Sequence, residues 1–373
     1  MADQLPLTGL RVIDLSTVLA GPNCAKYLGD FGADVIKVEQ PDVGDSLRNM
    51  AWRDPRDGEG MWWKIIGRNK RTVALDLKTS EGRDVFWKLI EGADVLVENF
   101  RPGVLERLGF APAMLLERNS HLVITRVSGF GQTGPYAQRP GFATIAESLS
   151  GLASITGEPD GAPLLPPIAL TDEITGIAAA FATMVALYSG VGQVVDVNLL
   201  ETIFQMIGVL PTLYALTGEQ QQRMGSAIPY SVPRGTFKCK DGRWVGISAS
   251  ADSVARRVLM LLGAGDDPRF ATFADRVTNR SALDSLLTNY CASHTSDEVV
   301  QAFTEAEAAA GHVLDMADIA NDPHFIERNL ITELDGTPMQ GLIANLSRTP
   351  GKLRWQGRKI DADGDHIRAH GWD

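Results

Sequence analysis

The sequence is poor in cysteine and in basic residues, and each shortage excludes a class of protein. Three cysteines among 373 residues, widely separated and without a CxxC pair, provide no disulfide framework, so we expect reduced thiols and a cytoplasmic location. Lysine and arginine together number 35 against 46 acidic residues, a net charge of -11. Because phosphate backbones are bound by a surplus of cations, we expect no nucleic-acid partner.

Several familiar motifs are also missing. The chain has no Walker-type GK[ST], HExxH or GxSxG motif, so we expect neither those chemistries nor a bound metal. The N-terminus lacks the basic and apolar regions of a signal peptide. The most apolar window, Ile168–Tyr188, is interrupted by Asp172 and Glu173, and we interpret it as a core helix rather than a membrane span. We therefore expect no membrane partner.

Short apolar runs alternate with helical segments along the first part of the chain. A strand at Leu10–Leu15, a helix opened by Gly21–Pro22 and a strand at Ala33–Glu39 form a unit that implies a parallel sheet. The later elements are predicted as strands at Thr72–Leu77, Ala93–Val97, Leu122–Val127 and Gln193–Asn198, and a helix at Leu199–Leu216. This pattern predicts a doubly wound, Rossmann-like α/β large domain over residues 1–217.

The composition changes after residue 217. Residues 218–225 are polar and predict a linker. Two short strands around a Lys240–Gly242 turn, followed by helices that include Arg280–Ala292 and Ser296–Ala309, predict a smaller α+β domain over residues 226–324. Residues 325–373 are turn-rich, and we expect this return segment to pack on the large domain.

A carboxylate stands at the start of the most apolar helix. Asp172 follows a proline-rich segment, residues 161–167, and precedes the apolar run Ile177–Tyr188. A carboxylate at that position lies near the free N–H groups and the partial positive charge of the helix N-terminus, which favour its anionic form. Asp172 either caps the helix or is the reactive group of a site.

Two other patterns have a functional and a structural interpretation. Gly129–Gly134 spells GxGxxG after a strand, but Pro135 and Pro140 prevent a helix from opening there, so we favour a surface loop over a dinucleotide site. A cluster of basic residues either holds a polyanionic ligand or is a solvated face packed on tryptophan. Its members are Lys64, Arg68, Lys70 and Arg71, and in the ligand-binding interpretation Lys78 and Arg107 act with them.

The ordered set of segments resembles the family III CoA transferases, the CaiB/BaiF family, which also contains alpha-methylacyl-CoA racemases. The resemblance covers nearly the whole chain and is densest in the first two hundred residues. It is carried by Leu7–Ser16, Ala20–Pro22, Leu28–Glu39, Asn69–Lys78, Ala93–Gly103, Gly129–Tyr136, Ser150–Gly151, Thr156–Gly157, Asp172, Gly192–Asp196 and Asn321–His324.

The resemblance implies a fold, a partner and a chemistry. It implies a homodimer of interlocked ring-shaped subunits, coenzyme A as cosubstrate with no tightly bound cofactor, and Asp172 as the nucleophile that forms aspartyl-anhydride and aspartyl-CoA intermediates. The coenzyme contacts that it implies are Val18, Leu19, Leu75, Lys78, Asn99, Phe100 and Arg107. Gln40 stands where some members have a basic residue, so one charged contact is missing here.

The resemblance and the motifs together leave four functions to compare. The first is transfer of coenzyme A from an acyl-CoA to a small carboxylic acid. The second is 2-methylacyl-CoA racemisation, which needs a second acid/base; racemase members have a Gly-His-Asp segment where this chain has Gly141-Phe142-Ala143, so we favour transfer. The third is a CoA-binding protein without turnover, which the presence of Asp172 argues against. A dinucleotide oxidoreductase would bind its cofactor near Gly129.

Overall fold

A computed structural model describes residues 4–373. The chain divides into two compact units. The first contains the residues up to Leu152, Leu165–Gly208 and Pro323–Asp373, and the second contains Ala153–Leu164 and Val209–Asp322. The domain boundaries read from composition stay a prediction.

Eleven strands lie within the described residues. They are β1 (Arg11–Asp14), β2 (Asp34–Glu39), β3 (Lys70–Ala74), β4 (Val95–Glu98), β5 (Val123–Ser128), β6 (Gln193–Asn198), β7 (Arg234–Lys238), β8 (Trp244–Ser248), β9 (Ala309–His312), β10 (Ile331–Leu334) and β11 (Thr337–Gln340).

The α-helices connect these strands. They are α1 (Ala20–Asp30), α2 (Met61–Ile66), α3 (Ser80–Glu91), α4 (Val104–Arg107), α5 (Pro112–Arg118), α6 (Ala143–Leu149), α7 (Leu152–Ile155), α8 (Leu170–Ser189), α9 (Leu199–Met206), α10 (Leu210–Thr217), α11 (Asp252–Leu261), α12 (Phe273–Thr278), α13 (Arg280–Ser293), α14 (Ser296–Glu305), α15 (Met316–Asn321), α16 (Pro323–Glu327) and α17 (Gly364–His370). Short 3-10 helices lie at Ser46–Asn49 and Pro268–Phe270.

The first unit is built on a six-stranded sheet in the order β3-β2-β1-β4-β5-β6. All of its strand pairs are parallel; Val12, for example, lies opposite Val35 on one side and Val95 on the other. The order reverses between β1 and β4, and in such sheets ligands bind outside the carboxyl ends of the strands at this switch point. The predicted doubly wound parallel sheet is confirmed.

Both faces of the sheet are buried, which explains the continuous apolar runs of its strands. Neighbouring residues of β1 contribute to opposite cores: Ile13 lies in a cluster with residues of α3 and α5, and Val12 lies in a cluster with residues of α1, α8 and α9. Helix α8 therefore covers one face of the sheet. By length and composition it is also apolar enough to cross a membrane, a property that core helices of globular proteins share.

The C-terminal segment adds to the first unit. The strands β10 and β11 form an antiparallel hairpin, and Ile367 of α17 joins the apolar cluster that contains Ile13. The backbone N–H of Asn69 donates to the Trp355 carbonyl at 3.0 Å. The last fifty residues thus belong to the same unit as the parallel sheet.

The second unit has an antiparallel sheet in the order β7-β8-β9, with helices α11, α13 and α14 contributing to its apolar core. The two strands predicted around the Lys240–Gly242 turn are observed as β7 and β8. Two predicted helices were too long. The segment Leu199–Leu216 is two helices, with Gly208 in the left-handed region at a φ of 62° between them. Helix α14 ends at Glu305, and Ala309–His312 pairs with β8 instead.

Candidate functional site

A cleft of about 280 Å³ opens beyond the carboxyl ends of β1 to β4. It lies at the switch point of the sheet, where Leu15 and Thr17 follow β1 and Phe100 follows β4. Its lining combines apolar and charged side chains. The lining residues are Leu15, Thr17, Lys37, Val38, Glu39, Gln40, Gly44, Asp45, Leu75, Asp76, Leu77, Lys78, Phe100 and Leu108.

Three of the coenzyme contacts implied by the resemblance, Leu75, Lys78 and Phe100, line this cleft. Gln40 lines it as well. Arg107 is exposed and directly precedes the cleft residue Leu108. The cleft therefore gathers residues that are far apart in sequence.

Asn99 connects two loops at the rim of the cleft. Its side-chain oxygen accepts a hydrogen bond from the Thr17 N–H at 2.8 Å, and its amide nitrogen donates to the Thr17 carbonyl at 2.6 Å. Val18 and Leu19 follow in the same loop, and the buried Leu19 packs with Leu47 and Trp63. The Asn99 amide thus holds the loop that carries Val18 and Leu19.

Asp172 occupies the first turn of α8 but does not cap the helix. The cap residue is Ala169, which makes no side-chain capping hydrogen bond. Among residues 4–373, no hydrogen bond or cation contributes to the pKa of the Asp172 carboxylate. The capping interpretation is therefore wrong, and the carboxylate is left unpaired in a half-buried position.

The electrostatic environment of Asp172 opposes ionisation. Burial, and then the negative charges of Glu147 and Glu173, raise the pKa of Asp172 from 3.8 to about 6. We expected the helix N-terminus to favour the anion; in the structure, desolvation and two neighbouring acids outweigh that effect. A carboxylate with this pKa is ionised at neutral pH yet poorly solvated, and both properties suit a nucleophile.

Glu147 of α6 is a site residue that the sequence did not indicate. It is buried, and its carboxylate accepts a hydrogen bond at 2.8 Å from the hydroxyl of Thr171, the residue before Asp172. This bond ties α6 to the first turn of α8. A lone Glu in an unremarkable segment carries no local signal, because its role depends on a contact between residues 24 positions apart.

Helix α1 links the cleft to Asp172. It begins at Ala20, directly after the loop of the cleft, and its first turn packs against Gly176 of α8, one turn beyond Asp172. The side-chain amide of Asn23 in that turn is fully buried, and neither its oxygen nor its nitrogen has a partner among residues 4–373. The close approach of the two helices fixes the start of α8 relative to the cleft.

The basic cluster is structural rather than ligand-binding. Lys64 pairs with Asp54 and Asp57. The remaining pairs, all at 2.6 to 2.8 Å, are Arg68 with Asp30, Lys70 with Asp14, and Arg71 with Asp34. Because each cation has its own carboxylate, these four residues are not free to hold a polyanion. Lys78 and Arg107 stay exposed beside the cleft.

The Gly129–Gly134 segment is a loop. The next helix, α6, begins nine residues after Gly134, at Ala143, so the segment lacks the helix N-terminus that a dinucleotide fingerprint needs. Phe142 precedes α6, with 70% of its surface exposed, and offers no proton-carrying group at the racemase position. Within residues 4–373, no three His, Cys, Asp or Glu side chains are grouped as metal ligands would be.

A doubly wound sheet with a cleft at its switch point, and an unpaired carboxylate on a neighbouring helix, define a Rossmann-like α/β enzyme. Residues 7–363 match the sequence model of CoA-transferase family III. The chain belongs to this family and is a CoA-transferase, acting between acyl-CoA thioesters and carboxylic acids with coenzyme A as cosubstrate.

Two relatives come from Chloroflexus aurantiacus. The succinyl-CoA–D-citramalate CoA-transferase is 37% identical over 97% of this chain and 92% of its own length. The succinyl-CoA–L-malate CoA-transferase beta subunit is also 37% identical, with the same coverage of both chains. A crystal structure of a CaiB/BaiF family protein from Brucella suis matches with a TM-score of 0.87 and 33% identity, covering 99% of this chain and 100% of that one.

Proposed function

We propose that Asp172 is the nucleophile through which this enzyme passes coenzyme A from an acyl-CoA donor to a carboxylic acid. The observation that carries the proposal is the unpaired, half-buried Asp172 carboxylate, with its raised pKa, one helical turn from the contact with α1. A carboxylate suits the reaction because it can attack a thioester and later leave from an anhydride at similar cost.

The reaction proceeds in two symmetrical halves. An Asp172 oxygen attacks the thioester carbonyl of the donor, the carbon–sulfur bond breaks, and coenzyme A leaves as a thiolate from a mixed anhydride. The thiolate attacks the aspartyl carbonyl, releasing the donor carboxylate and forming an aspartyl-CoA thioester. The acceptor carboxylate then displaces the thiolate to give a second anhydride. The thiolate finally attacks the acceptor's acyl carbon, which forms the new acyl-CoA and frees Asp172. Restricted access of water protects both anhydrides.

We further propose that the cleft at the switch point binds the coenzyme. Its contacts would be the seven residues implied by the resemblance, of which Lys78 and Arg107 can neutralise phosphate charge. Leu75 and Phe100 offer apolar surface at the same edge of the sheet. Gln40 supplies a neutral hydrogen-bonding group where some members have a basic residue.

The names of the relatives suggest substrates to test first. Both Chloroflexus enzymes are named for succinyl-CoA as donor and for a hydroxydicarboxylate, citramalate or malate, as acceptor. We infer that this enzyme uses the same chemical classes, a dicarboxylic acyl-CoA donor and a small dicarboxylate acceptor. A matrix of acyl-CoA donors against carboxylic acids would test this inference directly.

We also propose the larger organisation implied by the family: an interlocked homodimer in the cytoplasm, with a coenzyme-binding large domain and a small domain over residues 226–324. Apolar side chains exposed along α8 support an association between copies of the chain. They include Ile177, Phe181, Val185 and Tyr188.

The decisive experiment replaces the proposed nucleophile with its neutral isostere. Asp172→Asn should abolish transfer from succinyl-CoA, while Glu173→Gln, a change of the neighbouring acid on the same helical turn, should retain most turnover. Mass spectrometry of the wild-type enzyme incubated with an acyl-CoA should reveal a hydroxylamine-sensitive adduct on Asp172. Full turnover by Asp172→Asn would refute the mechanism.

A further inference from the structure

Val18 has an unfavourable backbone conformation at the rim of the cleft. Its φ of 68° places it in the left-handed region, where a β-branched residue is a genuine outlier. Such strain persists only when the surrounding structure holds it, and it is concentrated at functional sites. The loop that contains Val18 contributes Thr17 to the lining of the cleft.

Three side chains from other parts of the first unit hold this loop. Asn99 forms two hydrogen bonds with the Thr17 backbone, at 2.8 and 2.6 Å. The ammonium group of Lys37 donates to the Ser16 carbonyl. Asp45 accepts a hydrogen bond from the N–H of Val18 itself, at 3.0 Å. Among these three, Asp45 alone contacts the strained residue.

Asp45 is itself firmly held. It is buried and lines the cleft, and one carboxylate oxygen accepts hydrogen bonds from the N–H groups of Val18 and Leu47, each at 3.0 Å. The other oxygen lies 2.9 Å from the Lys37 ammonium group. The N–H of Asp45 donates to Glu39 at 2.8 Å. A side chain fixed from three directions can impose a conformation on its neighbour.

We propose that Asp45 is a positioning residue for coenzyme A: it fixes Val18 in the left-handed conformation, so that residues 17–19 keep the shape that receives the coenzyme. This inference rests on the proposed coenzyme site, because it assigns a task to a buried acid at the edge of that site. Asp45 also caps the short helix Ser46–Asn49 through Leu47. That capping contact involves the Leu47 N–H, so it does not account for the separate hydrogen bond from the Val18 N–H to Asp45.

The test measures coenzyme affinity separately from catalysis. Calorimetric titration of coenzyme A into proteins that carry Asp172→Asn reports binding without turnover. In this background Asp45→Ala should raise the Kd for coenzyme A by about 10- to 100-fold. In enzymes with Asp172 intact, the same change should raise KM for the acyl-CoA far more than it lowers kcat. Asp30→Ala, which removes an equally buried ion-paired acid outside the cleft, should leave the Kd unchanged.

A second substitution tells positioning from simple support of the fold. Glycine adopts positive φ readily, so Val18→Gly should make the loop independent of Asp45. The fold-change in Kd caused by Asp45→Ala should therefore be several times smaller in the Val18→Gly background than in its absence. Equal fold-changes in the two backgrounds, or an unchanged Kd in Asp45→Ala, would overturn the inference.

If Asp45→Ala does not fold, Asp45→Asn replaces it in the titration. The amide oxygen still accepts a hydrogen bond from the Val18 N–H, so the Kd of Asp45→Asn should stay within about threefold of the parent, and a tenfold rise would overturn the inference.

Two outcomes separate this inference from the proposed function. If the protein with Asp45 intact binds no coenzyme A, the proposed coenzyme site fails, and this inference fails with it. An unchanged Kd in Asp45→Ala alongside normal transfer by the wild type overturns only the role of Asp45.

Discussion

The side chain of Asp172 combines properties that a purely structural acid would not have. It is half-buried and unpaired, and Glu147 and Glu173 add negative charge nearby. In contrast, the buried acid Asp30 pairs with Arg68 and also accepts from Asn69. Asp172 therefore has the raised pKa and the absence of a charge partner that the proposed nucleophile requires.

The pH dependence of transfer should report the ionisation of Asp172. Because the nucleophile must be deprotonated and its pKa is about 6, kcat/KM should rise with pH through that value and then level off. Glu147→Gln removes one of the two neighbouring charges that raise this pKa, so the rising limb should move to lower pH. The measurement is kcat/KM against pH for both enzymes.

The control for this shift is Glu91→Gln, which removes an exposed acid that is paired with Arg118 instead. It should leave the pH profile in place. If the rising limb of kcat/KM against pH lies at the same pH in Glu147→Gln as in the wild type, Glu147 does not influence the ionisation of Asp172.

Replacing Asp172 should stabilise the protein at alkaline pH. The folded-state pKa of about 6 lies above the ordinary value of 3.8, so the wild type loses folding stability as pH rises between these values. Asp172→Asn has no such charge, and after allowance for solvent screening we expect it to be more stable by about 1 kcal/mol at pH 8. The two proteins should have equal stability below pH 4.

Thermal unfolding at several pH values tests this expectation. Asp30→Asn is the opposing control, because it leaves the buried Arg68 without its carboxylate and should destabilise the protein at pH 8. A lower unfolding temperature for Asp172→Asn at pH 8 would contradict the picture of an uncompensated acid.

At the level of single residues, the sequence singles out those that carry a local pattern. Asp172 stood out because a polar pair interrupts the most apolar window, and Gly129–Gly134 was recognised as a loop from its prolines. Glu147 and Asp45 were missed because nothing near them in sequence reveals their partners. Their roles arise from contacts across 24 and 27 residues.

At the scale of elements, the contact between α1 and α8 organises the site. An added Cβ atom at Gly176 would lie 2.5 Å from the Cβ of Asn23 and 3.1 Å from the Ala20 carbonyl oxygen. The missing side chain therefore lets the first turn of α1, which follows the loop of the cleft, approach the turn after Asp172. The position of the carboxylate depends on this approach.

Gly176→Ala should move the two helices apart. We expect a loss of about 1–3 kcal/mol of stability from overpacking, together with at least a tenfold fall in kcat. Asn23→Gly combined with Gly176→Ala removes the opposing Cβ atom and should recover part of the activity. Urea unfolding and steady-state kinetics measure the two effects. Normal kinetics in Gly176→Ala would show that the spacing of the helices is not critical.

Most of the strands and helices could be predicted because apolar periodicity is a local property. The end of α14 and the start of β3 differ from the prediction. The segment Ala306–Gly311 favours a helix by propensity, yet α14 ends at Glu305 and Ala309–His312 pairs with β8. Strand β3 begins at Lys70, earlier than predicted, because the buried Asp14 carboxylate compensates the charge of that lysine. In both segments a partner distant in sequence overrides the local preference.

At the scale of the whole molecule, the fold class could be predicted from the alternation of strands and helices. The association of subunits could not, because it depends on surfaces that the amino-acid composition does not describe. Phe181 and Tyr188 of α8 expose 70% and 96% of their surfaces. Large apolar side chains exposed together on one helix are typical of association surfaces. In the proposed homodimer, this face of α8 would pack against a second copy of the chain.

Charge placed on that face of α8 should disrupt the assembly. We expect the wild type to have about twice the 40.3 kDa mass of one chain by light scattering, and the double variant Phe181→Asp, Val185→Asp to shift toward the monomer. The exposed Met114 of α5 supplies the matched control, because Met114→Asp changes an exposed apolar residue on a different helix and should leave the mass unchanged. Since interlocked subunits would need each other to complete their packing, the monomeric variant should also unfold at a lower temperature. A double variant that keeps the wild-type mass would place the contact between subunits away from α8.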